Sequence, residues 1–178
     1  MNSRPAYEMA RALNSYVGRY PDEAWGLMSL WSDLKAHAKA GGCVHRGACP
    51  APRISPVVLD EHFRVLMLQG RNGPRLPEAG ASEEFGAFPT GAVTLARALG
   101  VDAPTEHTGL DEAIHVKLGL TPVADGLRTR VSFRYLYRTI AVRCAFVAGA
   151  PQMWVPLDKA DPELSRRVHS LVAAVAAR

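Results

Sequence analysis

Cysteine is scarce in this chain, long apolar runs are missing, and the basic residues never gather into a cluster; each lack removes a class of protein. Three cysteines in 178 residues are few and odd in number, which argues against a disulfide framework and predicts a reducing compartment. No apolar stretch approaches the roughly 20 residues that cross a bilayer, and the N-terminal residues form no apolar signal core. The expectation is a cytoplasmic protein with no membrane partner. A formal charge of +4 and an isoelectric point near 9.2 suit an anionic small molecule. The lysines and arginines are scattered and no nucleic-acid-binding motif is present, so no nucleic-acid partner is expected.

What is present suffices for an ordinary globular unit: 48% of residues are hydrophobic and 21% charged, enough apolar material for one core. The texture divides the chain into an N-terminal helical extension, 1–42, and a main unit, 43–178. Met9, Leu13, Tyr16, Val17 and Tyr20 recur on one helical face behind Pro5. A second helix begins at Pro21-Asp22-Glu23 and carries Ala24, Leu27, Trp31 and Leu34 on one stripe, until Gly41-Gly42 stops it. Beyond Arg53 the runs shorten and become β-rich. Ile54 to Leu59 and Phe63 to Leu68 flank Asp60-Glu61-His62 and predict a hairpin with two largely buried arms. Pro89 introduces a helix over Thr90 to Leu99, stopped by Gly100. Strands are predicted at Ala113 to Leu120, Thr129 to Phe146 with one break, and Met153 to Val155. A last helix carries Leu164, Val168, Leu171, Val172 and Val175 on one face. Mixed sheet and flanking helices predict a layered α/β sandwich.

The order of these parts, with several strings, resembles the Nudix hydrolase family, in particular bacterial members with an N-terminal helical extension. The strings are Tyr20-Pro-Asp-Glu-Ala24, Val57 to Leu68 (VVLDEHFRVLML), Arg134 to Arg138 (RYLYR) and Trp154 to Leu157 (WVPL). The resemblance implies an α/β class, a Nudix-like α/β/α sandwich with a mixed β-sheet and an N-terminal helical hairpin. It also implies a possible homodimer, to which the tryptophans near the extension would contribute.

The family's signature is the box G-x5-E-x7-R-E-U-x-E-E-x-G-U, in which glutamates on one helical face hold divalent cations that neutralise a diphosphate and activate water. Anchored on Gly100-Val101, the box puts Arg97 and Ala98 in the paired glutamate slots and Leu95 in the aliphatic slot. Thr94 falls on the earlier glutamate, Val93 on the arginine, Phe85 on the first glutamate and Ala79, beside Gly80, on the glycine. Every acidic slot is lost, and a guanidinium in a dication site repels where attraction is needed. Glu83 and Glu84 lie near the first slot; they read either as a relocated metal pair or as a solvated loop.

A second departure lies on the strand before RYLYR, where similar bacterial sequences carry a His-x-His-x-Asp pattern. Here the alternate positions read Arg128, Arg130 and Ser132, with Arg134 continuing the face, opposite Val131, Phe133, Tyr135 and Tyr137. Arginine forks suit phosphate or carboxylate, so this face reads as an anion clamp, or else as an exposed face paired to acids. If Arg97 faced the same cavity, the two changes would form one arginine-mediated anion site.

His37, Cys43, His45 and Cys49 form a third constellation. Their spacing matches no common zinc motif, and incidental loop residues are the plainer reading. Cys49 with His45 as base is an alternative nucleophile, and His115 is a lone acid/base candidate or a satisfied strand histidine. The leading expectation is therefore metal-independent chemistry on an anionic small molecule, with no cofactor. In it Arg97, Arg128, Arg130 and Ser132 bind, and His45, His115 or Glu84 acts as acid/base. A non-catalytic binding module is the first alternative, and a residual pyrophosphohydrolase with relocated metal ligands the second.

Overall fold

A computed structural model of the chain describes residues 4–39, 49–81, 86–102, 105–106, 112–123, 126–139 and 151–176. The N-terminal segment forms helix α1 (Arg4–Arg19), a 3-10 turn (Pro21–Glu23) and helix α2 (Ala24–Lys39). Strands β1 (Ala51–Leu59), β2 (Arg64–Gly70), β3 (Gly73–Arg75) and β4 (Ala79–Gly80) precede helix α3 (Phe88–Ala98). Strands β5 (Thr105–Glu106), β6 (His115–Val123), β7 (Gly126–Arg138) and β8 (Gln152–Pro156) follow, and the short helix α4 (Leu157–Ala160) leads into α5 (Pro162–Ala176). Among the described residues the eight strands share one mixed sheet, and helices cover both of its faces, so the α/β sandwich expected from the pattern is the observed architecture. No helix among the described residues is long and apolar enough to cross a membrane.

The centre of the sheet is the parallel pair β1 and β7, in register from Ala51↔Arg130 to Leu59↔Arg138. Here the hairpin expectation is corrected. β1 meets β2 only at Leu59↔Val65, beside a turn in which the Asp60 carboxylate accepts the amides of His62 and Arg64 at 2.9 and 2.8 Å. β2 then leaves to pair with β8 and β3. Prolines explain part of this. Pro52 turns its carbonyl toward Ala81, away from β7, and Pro56 shares that side by alternation. Their missing N–H groups thus fall on the margin where β1 has little ladder to lose.

Alternation sends Ile54, Val58, Phe133, Tyr135 and Tyr137 to one face. There they join Met9, Leu13 and Tyr16 of α1, Leu27 and Leu30 of α2, and Phe88, Ala92 and Ala96 of α3 in two apolar clusters. Val57, Leu59 and Leu136 point to the other face and pack on Leu164, Val168 and Leu171 of α5. The helical extension is thus built into the principal core, and α3 and α5 lie on opposite faces of the sheet.

Helix α3 ends in a way that accounts for Gly100-Val101 without reference to catalysis. Gly100 has φ +79°, its amide meets the Arg97 carbonyl at 2.9 Å, and the Val101 amide meets the Ala96 carbonyl at 3.1 Å. That is a Schellman stop, in which glycine is free of the left-handed penalty; buried Val101 closes the accompanying contact with Ala96 and Leu99.

Cysteine chemistry differs from expectation. Cys49 is disulfide-bonded to a partner outside the described residues, which corrects the reading of a disulfide-free chain and removes Cys49 as a free thiol nucleophile.

Candidate functional site

The sheet face that packs on α5 carries the strand arginines. Register lays the side chains out in rows: Gly80, Arg53, Ser132 and Lys117 across β4, β1, β7 and β6, then Arg130 opposite Gly119, then Arg128 opposite Thr121. In the other direction the next row holds Ser55, Arg134 and His115. The expected single cationic face therefore exists, but its two ends are in different states.

At the β6–β7 hairpin end, Arg53, Arg128 and Arg130 share the face, and Glu78 meets Arg130 and Ser132. Ser132 donates its hydroxyl to one Glu78 oxygen, and Arg130 Nη1 lies 3.6 Å from the other. Arg130 lies flat across the strand pair, which Gly119 permits: a β-carbon at 119 would come within 3.3 Å of Arg130 Nη2. Arg130 Nε is buried without a hydrogen-bond partner among the described residues. Arg128 donates Nε to the Cys49 carbonyl, which fixes the guanidinium without neutralising it. Arg53 Nη1 lies near Gly80, 3.8 Å from where a β-carbon there would sit. Among the described residues Glu78 is the one carboxylate at this end, against Arg53, Arg128 and Arg130.

At the α5 end the arginine is closed in by partners. Arg134, 10% exposed, donates to Asp161 Oδ2 at 2.9 Å, and Lys117 lies 3.4 Å from the same oxygen. Asp161 also caps α5, its Oδ1 accepting the amides of Glu163 and Leu164 at 3.2 Å. Burial alone would raise the Asp161 pKa, but the Arg134 hydrogen bond, the Leu164 amide and the nearby cations outweigh it and hold it at about 2. His115 is 2% exposed. Its Nδ1 sits 3.0 Å from Arg134 Nη1 and its Nε2 3.3 Å from Glu163 Oε1. Arginine can only donate, so Nδ1 is the acceptor and Nε2 carries the proton. Burial and then the Arg134 charge push the His115 pKa down, which keeps the ring neutral.

These contacts sort the expected site residues. Arg128, Arg130 and Ser132 are brought together, with Glu78 and Arg53 as members that the alternation of β7 alone does not reveal. His115 is held between Arg134 and Glu163, a satisfied strand histidine. Arg97 is not brought to the strand arginines. It lies exposed in the last turn of α3, on the far side of the sheet, where a cation suits the helix C-terminus. The single site combining Arg97 with the strand is therefore corrected to two separate positions. His45, Cys43, Glu83 and Glu84 lie outside the described residues, as does the side chain of His37.

The remaining box positions follow the same logic. Thr94 is exposed and returns its hydroxyl to the Thr90 carbonyl at 2.9 Å, Ala98 is exposed, and Val93 is half-buried against the core. The residues that α3 presents do not fit a divalent cation. Among the described residues no group of three or more His, Cys, Asp or Glu side chains is arranged to hold a metal ion.

No family model and no curated protein matches the sequence. Solved structures do. The NUDIX domain of Shewanella oneidensis NrtR, solved with ADP ribose, is similar over 78% of this chain and 98% of its own, at 15% identity and a TM-score of 0.47. A NUDIX hydrolase from Nitrosomonas europaea is similar over 70% of this chain and 90% of its own, at 12% identity and 0.41. The MutT protein of Methanosarcina mazei Go1 is similar over 73% and 98%, at 12% identity and 0.42. The likeness is one of fold.

Proposed function

We propose that this chain is a Nudix-like protein that holds an anionic small molecule without a resident divalent metal, and that it is a binding module and not a diphosphate hydrolase. The observation that carries this reading is the gathering of Arg53, Arg128 and Arg130 on one sheet face, with Glu78 as the one carboxylate beside them among the described residues. A planar guanidinium offers paired N–H donors that match phosphate or carboxylate oxygens. Glu78 and the Cys49 carbonyl orient two of these forks, and among the described residues the cations outnumber the acid that a ligand would replace. Metal-assisted cleavage needs charge neutralisation at the scissile phosphate, and Thr94, Arg97 and Ala98 supply no carboxylate for the cation that would do it. His115, neutral and enclosed between Arg134 and Glu163, supports a binding module over an enzyme that uses this histidine; the other acid/base candidates, His45 and Glu84, lie outside the described residues.

The test has two arms. Calorimetry with inorganic pyrophosphate and with ADP, in the presence of EDTA, is expected to show binding that weakens with salt. Phosphate release from nucleoside and sugar diphosphates, with and without Mg²⁺ or Mn²⁺, is expected to be nil. Metal-dependent turnover by the unaltered protein would overturn the reading and point to Glu83 and Glu84 as relocated ligands. An Arg97→Glu/Ala98→Glu variant that gains turnover would show that the scaffold can still present diphosphate to this helix.

A further inference from the structure

A cavity of about 700 Å³ lies at the outer edge of β6, between the N-terminal helices and α5. It is distinct from the arginine-rich end of the sheet face, and its walls have a different chemistry. Leu27 of α2, Val116 and Leu118 of β6, and Leu171 of α5 give it an apolar side. Leu118 remains 37% exposed there. Asp22, Glu23, Glu163, Arg166 and Arg167 give it a charged rim.

The rim's charges are not all available to a ligand. Arg167 is consumed internally: it pairs with Glu23, donates to the Tyr16 hydroxyl, meets the Ile114 carbonyl at 3.0 Å, and lies over the Tyr20 ring at 4.4 Å. Glu23 is correspondingly occupied by Arg167 and by the Tyr16 hydroxyl. What remains is Asp22 and Glu163 against Arg166, a net of −1. Glu163 is 52% exposed at its side chain and is steadied by His115 Nε2. Because Arg134 fixes His115 as the neutral tautomer, that histidine orients the carboxylate without cancelling its charge.

We propose that this cavity is a second binding site that takes an amphipathic organic cation, its apolar body against Leu27, Val116, Leu118 and Leu171 and its protonated amine at Glu163 and Asp22. Pockets of several hundred Å³ with an apolar wall and a few fixed polar groups have the size and make-up of small-molecule sites. A ring-sized apolar body with a short amine arm fits the division between the apolar side and the acidic rim. The chemistry is opposite in sign to that of the strand arginines, so the two sites are separable by ligand charge alone.

The experiment is calorimetry at pH 7 with three compounds sharing one ring and differing in charge: tryptamine, tryptophan and indole-3-propionate. Tryptamine is expected to bind, tryptophan more weakly, and indole-3-propionate not measurably. Glu163→Gln should weaken tryptamine about tenfold, the size of one charge-assisted hydrogen bond. Gly26→Trp, placed where an added β-carbon meets nothing within 4 Å on the cavity wall, should abolish binding with the fold retained by circular dichroism. Equal affinity for amine and propionate, no tryptamine binding at millimolar concentration, or full affinity in both variants would each overturn the proposal.

Discussion

The two ends of β7 carry the same residue on the same face and put it to different use. Arg134 is 10% exposed and closed into a set with Asp161, Lys117 and His115. Arg130 and Arg128, two and three alternations away, share their end with one carboxylate among the described residues. The difference teaches that an arginine stripe is defined by the acids facing it, and those come from other elements: Glu78 from the segment before β4, Asp161 from the residue before α5. One end is a structural lock; the other, among the described residues, has more cations than acids.

The sharpest break of that comparison is truncation at the locked end. Arg134→Ala leaves Asp161 and His115 without their shared partner in a mostly buried setting, and is expected to cost about 3 kcal/mol, read as a lower midpoint in urea. Arg128→Ala, at the open end, should cost under about 1 kcal/mol. Equal losses would mean that both ends are structural. Next in size is the acid response. The Asp161 pKa is held at about 2 when folded, below its ordinary value of 3.8, so the stabilisation is full above about pH 4 and is lost as pH falls toward 2. The loss should amount to about 2 kcal/mol. Asp161→Asn should flatten that portion of a stability-against-pH curve; an unchanged slope would assign the acid sensitivity elsewhere.

At the open end the effects fall on binding and not on folding. Arg130→Ala should weaken pyrophosphate about tenfold, as the loss of a charge-assisted contact does, with stability changed by less than about 0.5 kcal/mol. Glu78→Gln retains a hydrogen-bonding group beside Ser132 while removing the opposing charge, and should tighten pyrophosphate by a few-fold. Opposite signs for these two variants are the signature of an anion surface tuned by one carboxylate. Loss in both would make Glu78 a positioning group for the arginine fork.

Local pattern carried much of the fold. The helices of the extension, α3 with its glycine stop, β6, β8 and the apolar stripe of α5 are each written in a period or a cap within a dozen residues. The parallel alignment of β1 with β7 is not, because the partners lie about eighty positions apart and a doubly buried strand looks the same whichever neighbour it has. The hairpin reading of β1 and β2 was right about the turn at Asp60 and wrong about how far the pairing runs. The candidate site was legible to the same depth: period two put Arg128, Arg130 and Ser132 on one face, but helix periodicity could not say that Arg97 sits on the other side of the sheet. The neutral His115 was legible as a residue and not as a state, since its tautomer is set by Arg134 across the ladder.

The smallest expected effect concerns the extension. Tyr20 packs its ring on Tyr16 at 4.9 Å and under Arg167, while its hydroxyl is buried with no hydrogen-bond partner among the described residues. A buried polar group without a partner is a cost that its removal relieves. Tyr20→Phe keeps the ring, and with it the stacking and the cation contact, so it should raise stability by about 1 kcal/mol. Tyr16→Phe is the paired contrast, because that hydroxyl donates to Glu23 and accepts from Arg167, and its loss should lower stability by a similar amount. If both variants shift the urea midpoint the same way, the two tyrosines are not the satisfied and unsatisfied members of one aromatic pair.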